Sequence, residues 1–290
     1  LADDVTLTGD SDSAVDYSKL IKSISGYVYN ASESTLTSPY DNDDAADQEA
    51  TLVYDESGDY TYTTPGDNQP TTTQYTTDPK DPTIVTGNVP YTPGYTPQID
   101  GKDMPLVDPN TPSKGYTFTP TDPTQPTTIK YVAGHQTLTV HYETADGDKL
   151  ADDVTLTGDS DSAVDYSKLI KSISGYVYNA SESTLTSPYD NDDAADQEAT
   201  LVYDESGDYA YTTPGDDQPT TTQYTTDPKD PTIVTGTVPY TPGYTPQIDG
   251  KDIPLVDPDD PSKGYTFTPT DPTQPTTIKY APKSQHLTVY

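Results

Sequence analysis

The chain has 290 residues, no cysteine, and 14 basic against 48 acidic side chains, which gives a formal net charge of -34. Proteins bind nucleic acids and anionic membrane surfaces through cationic contacts, so this excess of acidic residues argues against both as partners. The sequence also has no long apolar run of the kind that inserts into a membrane. Without cysteine, disulfides and thiolate metal sites are excluded. Only 30% of residues are hydrophobic, but 26 tyrosines supply buriable surface, so we expect small β-rich modules with thin cores.

A repeat of 149 residues organises the chain, because positions 1–131 recur from Leu150 with six substitutions. The substituted pairs are Thr61/Ala210, Asn68/Asp217, Asn88/Thr237, Met104/Ile253, Asn110/Asp259 and Thr111/Asp260. Enzymes rarely contain the same large unit twice in succession. Such tandem repeats are typical of proteins that act as spacers or that bind a ligand multivalently. We therefore predict tandem modules over residues 1–57, 58–133, 134–206 and 207–282, with 283–290 as the start of a further module.

The first type of module occupies residues 1–57, where its first strand is missing, and 134–206, where its pattern is complete. Residues 138–142 alternate between apolar and polar side chains, Asp146-Gly147 is a hairpin signal, and 150–156 read as the return strand. Residues 176–178 and 199–203 read as two further strands.

Between the second and third of these strands, the sequence predicts one amphipathic helix. Tyr166, Leu169, Ile170 and Ile173 fall at the spacing of a single helical face, with an aspartate before them and a glycine after them. A ββαββ order predicts a mixed sheet with the helix across one face, which is the β-grasp plan. The predicted fold class is therefore α+β and β-rich.

The second type of module, residues 58–133 and 207–282, shows no helical periodicity. Asp-Pro pairs and other turn formers separate its candidate strands, and proline is confined to strand ends, edges and loops. The candidate strands in the first copy are Tyr60–Thr64, Thr71–Thr76, Thr83–Val89, Tyr116–Thr119 and Thr127–Val132. We predict a small, mostly β module, with low-complexity linker as the competing interpretation. Together the four modules predict an elongated rod.

Several sequence strings resemble a known family. Leu138-Thr-Val-His-Tyr-Glu-Thr-Ala-Asp-Gly-Asp-Lys-Leu150 is similar to the opening of the MucBP/Mub-type mucus-binding repeat of lactobacillal surface adhesins. Val89-Pro-Tyr-Thr-Pro-Gly-Tyr-Thr-Pro97, with the Gly101 to Pro109 and Pro112 to Phe118 strings, resembles the second half of that repeat. The resemblance implies paired B1 and B2 modules related to β-grasp, an extracellular position on a Gram-positive cell wall, and adhesion to mucin glycoproteins. It also implies immunoglobulins as a further class of partner and supplies no catalytic residues. An anchor and a signal peptide are expected outside this sequence.

Tyrosines in the proline-flanked strings are the candidate ligand-binding residues, because a tyrosine offers a flat apolar face and a hydroxyl at low entropic cost. The alternative is that each ring packs against a proline and holds a thin module together. The candidates are Tyr91, Tyr95 and Tyr116 in the first copy, and Tyr240, Tyr244 and Tyr265 in the second.

Two acidic strings are the candidate metal site, since Ca²⁺ takes six to eight oxygen ligands from flexible loops. Neither has the glycine and glutamate spacing of an EF-hand, and a solvated acidic turn is the alternative. The residues are Asp41, Asp43 and Asp44, with Asp190, Asp192 and Asp193 in the second copy. No other cofactor is predicted.

We expect no enzyme activity, because nothing marks a catalytic triad around the histidines His135, His141 and His286. The leading hypothesis is an adhesive array that binds mucin glycans weakly per module and multivalently as a whole. A structural stalk and an immunoglobulin-binding module remain the alternatives. Because residues 285–290 copy the strand at 136–141, they also suggest head-to-tail pairing between molecules.

Overall fold

The structure is a computed structural model that describes residues 1–43, 46–192 and 196–289. The chain divides into two compact units, Leu1–Gly134 and His135–Tyr290. Within the described residues, no helix has the length and apolar composition needed to cross a lipid bilayer. Both units are built from short strands, and the only helical elements described are 3-10 turns at Pro112–Lys114 and Pro261–Lys263.

The first unit contains ten described strands. They are β1 Tyr27–Thr35, β2 Thr51–Glu56, β3 Asp59–Tyr62, β4 Thr71–Gln74, β5 Thr76–Thr77, β6 Val85–Val89, β7 Tyr95–Ile99, β8 Lys102–Asp103, β9 Tyr116–Phe118 and β10 Thr127–Ala133. They form a β1-β2 pair, a five-stranded sheet of order β4-β3-β10-β7-β8, and a three-stranded sheet of order β5-β6-β9.

The second unit contains twelve described strands. They are β11 His135–Glu143, β12 Lys149–Asp159, β13 Tyr176–Thr184, β14 Gln197–Glu205, β15 Asp208–Tyr211, β16 Thr220–Gln223, β17 Thr225–Thr226, β18 Val234–Val238, β19 Tyr244–Ile248, β20 Lys251–Asp252, β21 Tyr265–Phe267 and β22 Thr276–Pro282. Two of its three sheets, β16-β15-β22-β19-β20 and β17-β18-β21, repeat those of the first unit.

The remaining sheet of the second unit has the order β12-β11-β14-β13 and confirms the predicted strands and the predicted mixed pairing. Its two central strands, β11 and β14, run parallel, and the outer pairs run antiparallel. Leu138, Val140, Tyr142 and Leu201 have no exposed surface, so the alternating pattern of β11 marks the buried face of the sheet correctly.

The predicted helix over residues 165–175 is wrong, because that segment has only turns, such as the one in which the Leu169 N–H donates to the Tyr166 carbonyl at 2.9 Å. The backbone groups that a helix would pair are taken by tyrosine hydroxyls of the sheet. Tyr142 donates to the Leu169 carbonyl at 2.9 Å, and the Lys171 N–H donates to the Tyr203 hydroxyl at 2.8 Å. A helix of this length is marginal in water, so these contacts decide the conformation. Without the helix, the β-grasp assignment stays a prediction.

In the second type of module the five predicted strands are present within two residues of their expected ends, but three strands were not predicted. They are β7, which contains Pro97, and the short strands β5 and β8. Pro97 lies opposite Tyr131 of β10, and its carbonyl accepts from the Met104 N–H at 2.9 Å. A proline is tolerated at this position because its missing N–H is not needed by the ladder.

Aromatic rings form the core of this module. The Tyr209 ring lies 5.5 Å from the Tyr224 ring and 5.3 Å, edge to face, from the Phe267 ring. Phe267 lies opposite Gly236 in the pairing of β18 with β21, and a Cβ at Gly236 would lie 2.4 Å from the phenylalanine ring. The glycine therefore makes room for the ring. Aromatic side chains therefore provide much of the buried apolar surface in a module that has few aliphatic residues.

Within the second unit the two types of module are packed on one another. Val177 of β13 is buried in the aromatic core that contains Tyr209. The hydroxyls of Ser172, in the first type of module, and Thr226, in the second, are hydrogen-bonded to each other. Residues 283–289, by contrast, form no strand, and Leu287 and Val289 are 88% and 82% exposed.

Candidate functional site

A stacked tyrosine pair lies in each copy of the second module. Tyr240 stacks on Tyr265 with 6.2 Å between ring centroids, and Tyr91 stacks on Tyr116 at 6.3 Å. The inner rings, Tyr116 and Tyr265, each begin a strand and are only 6% and 2% exposed. They therefore support the outer rings from behind.

The backbone around Tyr240 is held by two contacts. The Tyr280 hydroxyl donates to the Pro239 carbonyl at 2.5 Å, and burial raises the pKa of Tyr280 to about 12, so this donor keeps its proton at neutral pH. On the other side, Gly264 has a φ of +79° and packs against the Val238 carbonyl, where a Cβ would lie only 2.5 Å from the oxygen. A glycine is therefore required at the entrance to the strand that carries Tyr265.

Tyr240 lines an open groove with a volume of 520 Å³. We call it the second tyrosine groove and define it by Tyr211, Thr237, Tyr240, Ser262 and Lys263. Residues 238, 239 and 264 also line it. Two aromatic rings, two hydroxyls and one ammonium group thus share one concave surface. Small-molecule sites combine apolar surface with a few convergent polar groups in the same way.

The charge of the second tyrosine groove is set by Lys263 and its acidic neighbours. Lys263 Nζ lies 2.6 Å from Asp257 Oδ2 and 3.9 Å from Asp260 Oδ2. The bond from Lys263 lowers the pKa of the Asp257 carboxyl, with a backbone bond from Asp259 as the next cause. The ammonium is therefore anchored by Asp257, a partner that stays ionised.

The residues equivalent in sequence in the first copy are Tyr62, Asn88, Tyr91, Ser113 and Lys114, and by this equivalence we call them the first tyrosine groove. The Tyr131 hydroxyl donates to the Pro90 carbonyl at 2.5 Å, as Tyr280 does to Pro239 in the second copy. Lys114 Nζ lies 2.7 Å from Asp108 Oδ2.

Tyr244 does not line the second tyrosine groove, and Tyr95 is its equivalent in the first copy. Both are half-buried at the start of a strand, and their carbonyls accept from the hydroxyls of Tyr116 at 3.4 Å and Tyr265 at 3.3 Å. Sequence reasoning missed Tyr211 and Lys263. The signal for Tyr211 was its position two residues after Tyr209 on one strand, which places both rings on the same face.

The acidic strings show no metal cluster in the part of the chain that the structure describes: no three His, Asp or Glu side chains there form a group that could hold an ion. Asp41, Asp43, Asp190 and Asp192 are among the residues described, whereas Asp44 and Asp193 lie outside them. Asp190 Oδ1 is buried and has no hydrogen-bond partner among the described residues. A cation would satisfy this oxygen.

Comparisons with known proteins leave the family open. No protein-family model matches the chain, and no curated protein matches it either. Among solved structures, the chain is similar to one described as the type 2 repeat of the mucus binding protein MUB from Lactobacillus reuteri. The identity is 18% over 51% of this chain and 100% of the other, and the TM-score is 0.20. A TM-score this low does not establish a shared fold.

Proposed function

We propose that this chain is a non-catalytic, extracellular adhesive array of a Gram-positive cell wall whose tyrosine grooves bind mucin glycans. The resemblance of its motifs to mucus-binding repeats gives the substrate class. The observation that carries the assignment is Tyr240, which is 37% exposed and held flat over the buried ring of Tyr265.

A sugar fits the chemistry of the second tyrosine groove. The apolar face of a pyranose stacks on an aromatic ring, and its hydroxyls exchange hydrogen bonds with alcohol and ammonium groups. Tyr211 and Tyr240 supply rings, while Thr237, Ser262 and Lys263 supply polar groups. An open groove buries little of its ligand, so each site binds weakly, and linked copies raise the overall avidity.

The groove function is tested by the retention of the full chain on immobilised mucin. We expect Tyr91→Ala/Tyr240→Ala to reduce retention at least tenfold, because both outer rings are lost, whereas Tyr91→Phe/Tyr240→Phe keeps most of it. Ile84→Ala/Ile233→Ala is the matched control, since these exposed residues lie outside the groove lining. Equal retention of the alanine variant and the control would contradict the assignment.

Calcium is proposed as an aid to adhesion, because both the chain and the sialate or sulfate groups of mucins are anionic. Ca²⁺ held by Asp41, Asp43 and Asp44, or by Asp190, Asp192 and Asp193, would reduce the repulsion, and the unpartnered Oδ1 of Asp190 supports this. We expect EDTA to weaken retention and Asp190→Asn to remove the EDTA effect of the second copy. Retention that does not respond to EDTA or to added Ca²⁺ would contradict this role.

A stalk that positions a distal domain is the second candidate, and the packed junction within the second unit favours it. Val177 is buried in the neighbouring module, so the two modules are joined through a shared core. Mucin, deglycosylated mucin and immunoglobulin, presented side by side, separate the candidates. Loss of retention only after deglycosylation supports glycan binding, whereas retention on none of the three supports the stalk. Retention on immunoglobulin alone would assign a protein partner.

A further inference from the structure

Three of the six substitutions between the two copies fall on the tyrosine groove or on the loop that carries its lysine. Of the six substituted pairs, Asn88/Thr237 falls on a lining residue of the groove. Asn110/Asp259 and Thr111/Asp260 fall on the loop that carries the groove lysine. The stacked rings, the lysine and its first aspartate are the same in both copies, so the scaffold of the groove is retained while its charge differs.

The loops that carry the lysines differ by two carboxylates. In the first copy, residues 108–114 contain one carboxylate and one ammonium, and Lys114 pairs with Asp108 at 2.7 Å. In the second copy, residues 257–263 contain three carboxylates and one ammonium. There Lys263 lies near both Asp257 and the added Asp260. The first lysine is therefore the less neutralised of the two.

We propose that the two grooves are specialised for sugars of different charge. The first tyrosine groove, with Lys114 at its rim, takes a glycan that ends in an anionic group, and the second takes a neutral glycan. This inference rests on the function proposed above. An array with both grooves would hold mucin chains whether or not they end in sialate or sulfate.

The charges on the lysine loops determine how much the affinities for anionic and neutral sugars should differ. An added carboxylate within a Debye length of a bound anion opposes it weakly at a solvated surface, and two of them act together. We expect the affinity ratio of an anionic to a neutral sugar to change by about three- to tenfold when the two loop charges are added or removed. The same charges leave the affinity for the neutral sugar within about twofold, because it has no net charge to oppose.

Charge exchange between the copies tests the inference on the full chain. Asn110→Asp/Thr111→Asp gives the first groove the charges of the second, and Asp259→Asn/Asp260→Thr does the reverse. The matched controls are Thr6→Asp/Thr8→Asp and Asp3→Asn/Asp4→Asn, which make the same changes in charge at exposed positions outside any strand. Calorimetry measures binding of a galactose-terminated disaccharide, its sialylated form and its sulfated form.

We expect the ratio of anionic to neutral affinity to fall in the first variant, to rise in the second and to stay constant in both controls. An unchanged ratio in the loop variants, or an equal change in the controls, would overturn the inference and leave the proposed function intact. If the unsubstituted chain binds none of the three sugars, the proposed function fails first. A response to the sialylated sugar alone would assign the first groove to carboxylates, and a response to both anionic forms would assign it to anions in general.

Discussion

Tyrosine hydroxyls hold the irregular segment of the complete first module in place. Tyr142 and Tyr203 lie on the two central strands, and their hydroxyls reach the backbone of Leu169 and Lys171. Lys171 Nζ in turn lies 3.6 Å from the centroid of the Tyr142 ring, a cation–π contact. A segment without regular structure is thus ordered by the polar ends of side chains that also form the core.

Replacing Tyr203 with phenylalanine tests this role. The change leaves the ring but removes the acceptor for the Lys171 N–H, and we expect it to lower the free energy of unfolding by about 1–3 kcal/mol because a backbone donor loses its partner. Tyr54→Phe is the matched change in the first copy, where the Lys22 N–H donates to a half-buried Tyr54 at 2.8 Å. Water reaches that site, so we expect a loss of about 0.5–1 kcal/mol. Urea unfolding of both variants makes the comparison, and equal losses would contradict it.

The glycine opposite each core phenylalanine leaves the space that the ring occupies. Gly236→Ala places a methyl group against the Phe267 ring, and we expect a loss of about 1–3 kcal/mol of unfolding free energy from overpacking. Adding Phe267→Leu should recover part of this loss, since the smaller side chain frees the space. A double-mutant cycle measured by thermal unfolding checks the coupling. Additive losses would show that the ring and the glycine are independent.

Buried tyrosines also predict how stability depends on alkaline pH. Burial raises the pKa of Tyr131, Tyr203 and Tyr280 to about 12, above the ordinary value of 10.0. The folded state therefore holds these protons more tightly than the unfolded state, so their contribution is complete below pH 10 and is lost as the pH rises from 10 to 12. We expect the midpoint of urea unfolding to fall across this window. A constant midpoint between pH 10 and 12 would contradict the prediction.

At the scale of elements, alternation predicted strands well and predicted the helix wrongly. Strand β11 buries alternate residues over its length, so its pattern is read directly from the sequence. The segment 165–175 has a helical spacing, but it is short, and its backbone partners are hydroxyls from strands that precede and follow it in the chain. Strand β7 was not predicted because it contains Pro97. A proline is compatible with this strand only because the pairing with β10 does not need an N–H at that position. Partners distant in sequence decide both cases.

The number of strand partners predicts which element opens first. Strand β14 is paired on both sides, by β11 and β13, whereas β2 is paired with β1 in a two-stranded sheet among the described residues. Amides with strands on both sides open only with the whole sheet. We therefore expect hydrogen exchange at residues 199–203 to be at least tenfold slower than at the identical residues 50–54. Similar exchange rates in the two copies would contradict this.

At the scale of the whole molecule, the sequence predicted the candidate site in part. The Pro-Tyr-Thr-Pro strings marked Tyr91 and Tyr240, which are the outer rings of the grooves. Whether Tyr116 and Tyr265 bind a ligand or pack in the module stayed open, because their burial depends on the close packing of the preceding glycine on a distant backbone carbonyl. Tyr211 and Lys263 join Tyr240 only through strand pairing across the module, which local patterns do not show.

Net charge predicts how adhesion depends on pH. As the pH falls from 7 towards 4, carboxylates in general begin to take up protons, so the repulsion between this acidic chain and anionic mucin decreases. The pKa values of Asp108 and Asp257 are lowered by their lysine partners, so these ion pairs persist below the ordinary value of 3.8. We expect mucin retention to increase towards pH 4 with the grooves intact. Retention that is flat between pH 7 and 4 would contradict the prediction.

The most direct test of glycan binding is to map a neutral, galactose-terminated mucin oligosaccharide onto the full chain by backbone amide chemical shifts in NMR. We predict saturable shifts at residues 237–240 and 262–264, together with weaker ones at 88–91 and 113–115. Tyr240→Ala should remove the first set and leave the second. The absence of saturable shifts at millimolar sugar, or shifts confined to residues outside both grooves, would contradict the assignment of this chain as a glycan-binding array.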